Sequence, residues 1–235
     1  MNMLEIKGIE VFIGSFYIIQ GISMEIPKGK VTVLLGRNGA GKSTTLKSIL
    51  GIYHPTNGKI VFDGKIINNL PPHKIAQLGI GYVPDTRRIF GTLTVKQNLI
   101  VAMRKSEKSI SERLDYIYQL FPDLERFSKQ RAKSLSGGQQ QMLAIGRALV
   151  NDNKLLLIDE PTEGLSPKFA KFVMDTVREI KNKVTILLIE QNFQAASSVG
   201  DLYYIMDDGK IPYSGEMKDL ITNKELITKF LGVRV

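Results

Sequence analysis

Residues 31 to 50, VTVLLGRNGAGKSTTLKSIL, narrow the possible folds more than any other stretch of the chain. VTVLL is continuously apolar and β-branched, with no polar alternation, so it reads as a strand covered on both faces, as in the parallel sheets of α/β proteins. A glycine-rich turn and then a run at helical spacing follow at once. GRNGAGKS satisfies GxxxxGK[ST] in the strand, loop and helix context that gives the pattern its meaning. Gly36, Gly39 and Gly41 let the backbone wrap a phosphate chain without Cβ clashes, and Arg37, Asn38 and Ala40 complete the loop. Lys42 brings charge to the β and γ oxygens, the Ser43 hydroxyl can ligate Mg²⁺, and Thr44 reaches the α-phosphate side. The ligand this predicts is a magnesium nucleoside triphosphate. A chance glycine-rich turn is the alternative, and it does not explain why all three elements are in register.

Such a loop needs a carboxylate for its metal. KLLLIDEP supplies a hydrophobic strand that ends in Asp159 and Glu160, at the carboxyl edge where ligands of open α/β sheets collect. Asp159 is expected in the Mg²⁺ shell, and Glu160, one residue nearer the γ-phosphate, is expected to polarise the attacking water. Acidic residues that close a buried strand can also be mere turn formers. TILLI gives a third continuously apolar strand, parallel to VTVLL and LLLI. LEIKGIEVFI, ISMEI and KIVFDG, with turn signals at Pro27-Lys28-Gly29 and Asn57-Gly58, predict an antiparallel layer beside them. GIGYV and LYYIMDDGKIPYSG read as further strands. From 95 to 132 the texture changes: VKQNLIVAM, ISERLDYIYQLF and LERFSKQRA are helical in period and contain no strand. The fold class is therefore α/β, a P-loop NTPase (RecA-like) core with an antiparallel β layer and an inserted helical subdomain. The expected division of the single domain is a core of about 1–85 and 151–235 and a helical part of about 86–150.

Composition matters for what it excludes. With 235 residues, 43% hydrophobic, the chain can bury a core, and no cysteine is present for a disulfide, a thiol nucleophile or a thiolate metal site. His54 and His73 are isolated. The longest apolar runs fall well short of the ~20 residues of a membrane span, and MNMLEIKGIE has no apolar signal core. The chain is thus expected to be soluble, or peripheral through a partner. A formal charge of +9 is spread along the sequence, and RKSEK (104–108) reads as a solvated face rather than a nucleic-acid patch.

LSGGQ, residues 135 to 139, forms a second helix start suited to an anion, with Ser136 as N-cap, but it lacks a lysine. GRNGAGKST, LSGGQ and LLLIDEP, in that order and spacing, resemble the ATP-binding cassette (ABC) domain of transporters over essentially the whole chain. The resemblance answers the question the second cradle poses. In that family the signature turn of one subunit faces the ATP on the P-loop of another, so Ser136 and Gly138 are expected to contact a γ-phosphate belonging to a second ABC ATPase subunit, identical or not. ATP then bridges a closed dimer, and hydrolysis removes the bridge.

Within the family, the finer resemblance is to LivF-type ATPases of branched-chain amino acid importers. It is carried by VPDTRRIF, where most relatives have a glutamine, by Gln191 in IEQN at the usual switch-histidine position, and by EGLSP, which lacks the aspartate found elsewhere. By this likeness Asp85 takes the glutamine's place at or near Mg²⁺, with Arg87 or Arg88 offsetting its charge. Gln191 can donate to the γ-phosphate but cannot shuttle a proton, which leaves the base role to Glu160. The family's adenine aromatic falls at Ile13, with Phe12 adjacent; Ile13 is favoured as an apolar shelf, and strand packing explains either residue otherwise. Arg87, Ile89 and Phe90 are the expected seat for integral-membrane permease subunits, with burial of the two apolar ones in the domain's own core as the alternative. The resemblance further implies a peripheral place at the cytoplasmic face of the membrane, an extracellular binding protein as indirect partner, and no nucleic acid. A basic surface also suits an anionic leaflet. The C-terminal run with Leu220, Leu226, Ile227, Phe230 and Leu231 is expected to pack on the domain, a contact with the partner ATPase being the alternative. Competing readings are a soluble ABC ATPase of translation or DNA repair, or an importer ATPase for urea or amides.

Overall fold

In the computed structural model, which describes residues 1–232, every residue of β3 (Val31–Leu35), β7 (Leu155–Asp159) and β8 (Thr185–Glu190) is buried. These three lie at the middle of a six-stranded sheet with β6 (Ile80–Val83), β9 (Leu202–Asp207) and β10 (Lys210–Glu216), in the order β10-β9-β3-β8-β7-β6. All neighbours are parallel except β9 and β10, which form a hairpin. Because side chains alternate along a strand, the central strands feed two cores. Val31, Val33, Leu35, Leu156, Ile158, Ile186 and Leu188 enter one, whereas Leu34, Leu155, Leu157, Leu187 and Ile189 enter the other.

The second core is closed by a separate antiparallel sheet, order β2-β1-β4-β5, made of β1 (Asn2–Ile13), β2 (Phe16–Pro27), β4 (Asn57–Phe62) and β5 (Lys65–Ile66). Helix α1 (Lys42–Ile49), which carries the end of the glycine loop, buries Leu46 and Ile49 in this same core. Phe62 is 2% exposed there. Its truncation leaves a cavity, so Phe62→Ala is expected to cost about 3–5 kcal/mol. Urea unfolding should show this as a lower midpoint at an unchanged slope.

Two local readings of the sequence need correction. Asn57-Gly58 is not a hairpin turn: Asn57 pairs with Glu10, and Gly58 (φ +79°) sits where a Cβ would lie 2.3 Å from the Gly8 carbonyl oxygen. The glycine serves a close crossing of β1 and β4, while the turn itself falls at Asp63-Gly64 (φ +46° and +79°). The strand expected at ISMEI begins instead at Phe16, because the β1 end supplies partners for the residues before it.

The first core is closed by helices. After α2 (Pro72–Gln77) come α3 (Val95–Val101), α4 (Ile110–Leu120), α5 (Pro122–Arg126) and α6 (Gly137–Leu149), with a 3₁₀ turn at Ala132–Ser134; α7 (Pro167–Ile180) and α8 (Phe193–Val199) follow β7 and β8. Capping boxes start α3 (Thr94 with Gln97), α4 (Ser109 with Glu112) and α6 (Ser136 with Gln139). LERFSKQRA is helical only to Arg126. Beyond it the backbone finds partners across the chain: the N–H of Val95 donates to the Gln130 carbonyl, that of Lys96 to Ser128, and that of Ala132 to Leu93. At the C-terminus, α9 (Met217–Thr222), α10 (Lys224–Leu226) and a π turn (Ile227–Leu231) lie on the domain, with Leu220 and Ile227 fully buried and Leu226, Phe230 and Leu231 packed against the first core. Residues 233–235 lie outside the described part. Among the described residues, no helix is long and apolar enough to cross a membrane.

Candidate functional site

The glycine loop joins β3 to α1 at the carboxyl edge of the sheet. Gly36 is required by proximity, since a Cβ there would lie 2.4 Å from the Met206 carbonyl oxygen at the end of β9. Gly41 is required by backbone: it is the N-cap of α1 at φ +110°, a conformation L side chains avoid. Ala40 is buried, while Arg37, Asn38 and Gly39 are exposed, and Arg37 Nη2 donates to the Lys229 carbonyl at 3.3 Å. Ser43 and Thr44 are half-buried in the first turn of the helix. Lys42, 4% exposed, curls back over the loop: its Nζ donates to the carbonyls of Gly36 (2.9 Å) and Arg37 (3.0 Å) and lies 3.2 Å from Glu160 Oε1.

Asp159 and Glu160 close β7 beside that loop. Asp159 is 2% exposed; its Oδ2 accepts from the Tyr82 hydroxyl at 3.5 Å, and its Oδ1 is buried with no hydrogen-bond partner. Burial, then the charges of Asp85 and Glu160, push its pKa up to about 6, against the pull of Lys42. An orphaned, buried carboxylate oxygen among several negative groups is a cation position, and the donors at hand are all hard oxygens, as Mg²⁺ requires. Asp159 and the Ser43 hydroxyl could hold it, with Asp85 close enough to act on Asp159 electrostatically. The described residues contain no group of three His, Cys, Asp or Glu side chains able to hold a metal.

The raised pKa has a definite sign. Between about pH 4 and 6 the folded chain holds a proton on Asp159 that the unfolded chain has lost, so this residue makes the nucleotide-free protein less stable as pH rises. Asp159→Asn is therefore expected to raise the melting temperature of the metal-free, nucleotide-free protein at pH 8. The gain should vanish at pH 4, which calorimetry in chelator at the two pH values checks.

Glu160 adopts φ +43°, an uncommon conformation for a non-glycine residue, and its N–H donates to the Ile189 carbonyl at 3.0 Å. Its carboxylate takes Lys42 on one oxygen and the Gln191 side-chain amide on the other. Gln191 directly follows β8. Asp85 follows β6, is exposed, and accepts the Thr86 N–H at 2.7 Å. The ends of β3, β6, β7 and β8 thus bring the glycine loop, Asp85, Asp159, Glu160 and Gln191 to one edge.

Other candidate residues stand elsewhere. Ser136 caps α6, exposed, its hydroxyl accepting from the Gln139 N–H at 3.4 Å and its own N–H donating to Gln139 Oε1 at 3.0 Å. Gly137 is exposed too, but Gly138 is buried beneath Phe169, whose ring would lie 2.4 Å from a Cβ there. Ile13, half-buried at the end of β1, pairs with Phe16; Phe12 points the other way and stacks on Tyr17, ring centroids 4.4 Å apart. The two apolar docking candidates part company. Ile89 packs half-buried against the first core, whereas Phe90 is 48% exposed under the Arg147 guanidinium, 4.7 Å from its ring. Arg87 and Arg88 both have positive φ (59° and 44°), Arg87 Nε donates to Gln141 Oε1 at 3.3 Å, and Arg147 donates to the Arg88 carbonyl at 2.6 Å.

Sequence reasoning missed Tyr82, which touches Asp159, and Glu190. Glu190 reads as the last residue of an apolar strand, yet it is 2% exposed and ionisable. A carboxylate closing TILLIE was the signal available. Burial pushes its pKa up, opposed by hydrogen bonds from Thr162 and Asn192.

A glycine loop with a buried lysine, a carboxylate pair closing β7, one strand over across β8, and a capped serine-glycine turn define a P-loop nucleotide hydrolase. The ABC transporter family matches residues 19–163, and the chain belongs to that family as an ATP-binding, ATP-hydrolysing cassette. It is 38% identical over 220 residues to an Archaeoglobus fulgidus protein described as a probable branched-chain amino acid transport ATP-binding protein LivF, covering 92% of this chain and 93% of the relative. Among solved structures it is similar to a nucleotide-free ATP-binding cassette from an ABC transporter, at TM-score 0.86 and 27% identity, over 99% of both chains. A dimeric cassette in a post-hydrolysis state bound to ADP and Pi aligns at TM-score 0.81 and 25% identity, covering 92% of this chain and 99% of that one.

Proposed function

We propose that the protein is the ATPase subunit of an importer for branched-chain or related amino acids, working as one half of an ATP-bridged pair of cassettes. The observation that carries the bridging is the Ser136 turn. It is exposed, its hydrogen bonds stay within the start of α6 on Gln139 and Gln140, and the polar contacts of the P-loop beyond itself run to Glu160, Gly209 and Lys229 instead. The dimeric relative with ADP and Pi supports the arrangement, and the LivF relative supports the cargo class.

In this reading the triphosphate lies along residues 36–44, its adenine against Ile13. Lys42 leaves the loop carbonyls and Glu160 for the β and γ oxygens. Glu160, freed on that side and still steadied by Gln191, takes the proton of the attacking water, because an amide such as Gln191 has no basic site to do so. Ser43 and Asp159, with Asp85 nearby, would hold Mg²⁺, which would supply neutralisation of the phosphate charge. Ser136 and Gly138 of this chain complete the γ-phosphate site of the second cassette, and the serine-glycine turn of that cassette completes this one. Residues of about 86–150 form the helical subdomain and the rest the core. The permease seats near Arg87, Ile89 and Phe90, which places the chain peripherally at the cytoplasmic face, and an extracellular binding protein delivers cargo.

Co-expression with candidate permease subunits tests this. The expected result is a membrane-bound complex that takes up a branched-chain amino acid only with MgATP. Co-purification with ribosomes or DNA and no permease would assign the chain to a different branch of the family.

A further inference from the structure

Glu190 is a buried carboxylate to which the hydrolysis scheme above gives no task. It ends β8, one residue before Gln191, and it accepts from two separate turns. Oε1 takes the Thr162 backbone N–H at 3.2 Å and the Thr162 hydroxyl at 2.8 Å. Oε2 takes the Asn192 N–H at 3.3 Å. Thr162 lies two residues beyond Glu160, and Asn192 lies one residue beyond Gln191. A single side chain therefore fastens the turn that carries Glu160 to the turn that carries its amide partner.

Glu160 needs such fastening. Its left-handed backbone (φ +43°) costs on the order of 1–3 kcal/mol and persists only where the surroundings over-determine it. Two backbone bonds help, from the Glu160 N–H to Ile189 and from the Glu163 N–H to the Glu160 carbonyl. The Glu190 clamp adds three more donors next to them. An apolar residue would satisfy the burial of β8 equally well, but it would leave the N–H and hydroxyl of buried Thr162 unpaired and release the Asn192 turn.

We infer that Glu190 is a positioning residue for hydrolysis: it holds the Glu160 and Gln191 turns in fixed register, so that the Glu160 carboxylate stays aimed across the P-loop. This rests on the reading of Glu160 as the base. Glu190 touches neither nucleotide nor metal in this role, so its loss acts on turnover and leaves ATP capture alone.

The test uses the purified chain assembled with its partner cassette, with MgATP. In Glu190→Gln the amide offers one accepting oxygen and turns its NH₂ toward a donor, which breaks one arm of the clamp. Thr162→Val removes the hydroxyl and keeps the shape, and Thr162→Ser keeps the hydroxyl. Since a misplacement of about 1 Å can cost roughly 10²-fold, Glu190→Gln and Thr162→Val should each lower kcat by about tenfold or more. KM for ATP should stay within about twofold, and Thr162→Ser should stay within about twofold of the parent in kcat. Because both changes open one clamp, the double variant should be no worse than the poorer single one. Hydrogen exchange in Glu190→Gln should speed up at residues 160–163 and 190–193 and not across the central strands. A Thr162→Val protein with parental kcat, a KM that rises in step with the fall in kcat, or losses that multiply in the double variant would each overturn the inference. If Glu190→Gln does not fold, the Thr162 pair decides alone. Glu160→Gln in the same assay separates the two ideas: substantial turnover there removes the base assignment, whereas an inactive Glu160→Gln beside an ordinary Glu190→Gln removes only the clamp.

Discussion

Glu160→Gln should lower MgATP hydrolysis by about 10²–10⁴-fold, the usual contribution of a general base, while ATP binding persists. The reason lies in what surrounds the carboxylate. Asp159 is committed to the cation position by its orphaned oxygen, Gln191 offers an amide, and Lys42 is a cation. None of them can take the water's proton in place of Glu160. The substitution preserves shape and the contact with Gln191 through the amide oxygen, so the folded state should survive. ATP that binds and is not cleaved keeps bridging, and the variant should accumulate as a nucleotide-bound dimer on size-exclusion chromatography. A variant with parental turnover would show that the proton leaves by another route.

Lys42→Ala should weaken ATP binding by about 10²-fold or more, because charge-assisted hydrogen bonds contribute about 1.5–3 kcal/mol each and Lys42 is expected to serve two phosphate groups. A second consequence follows from the apo geometry. Lys42 is the cation in contact with Glu160 and one of the charges that lower the Asp159 pKa. Its removal leaves the negative charges of Asp85, Asp159 and Glu160 with less compensation, so Asp159 should hold its proton to still higher pH. Equilibrium binding of a fluorescent ATP analogue in the parent and the variant measures the first effect. Retained affinity would place the triphosphate somewhere other than the loop.

The parts legible in the sequence are those whose constraint is local. Gly36 and Gly41 must be glycine because of one carbonyl contact and one φ angle, so the loop announces itself, and three continuously apolar runs could only be central strands. Asn57-Gly58 misled because the same dipeptide serves a hairpin turn or a close crossing of two strands, and only the partner strand decides which. LERFSKQRA kept its helical spacing while its backbone was captured by the segment from Leu93 to Lys96. Ile89 and Phe90 were indistinguishable as neighbouring apolar residues. Arg87 and Arg88 just before them have positive φ, so no strand or helix period runs through the pair to say which is turned inward. Glu190 showed in the sequence only as a carboxylate closing TILLIE; its task was hidden for a similar reason, since its three donors come from Thr162 and Asn192, and Thr162 is 28 residues away in sequence.

The position of the Ser136 turn when nucleotide is bound is the most direct measurement. A structure of Glu160→Gln assembled with MgATP and its partner cassette should show a triphosphate on Lys42 of this chain with the serine-glycine turn of the other cassette against its γ-phosphate, and Ser136 of this chain doing the same across the interface. A saturated complex in which Ser136 faces solvent, or folds onto the nucleotide of its own chain, would contradict the shared site.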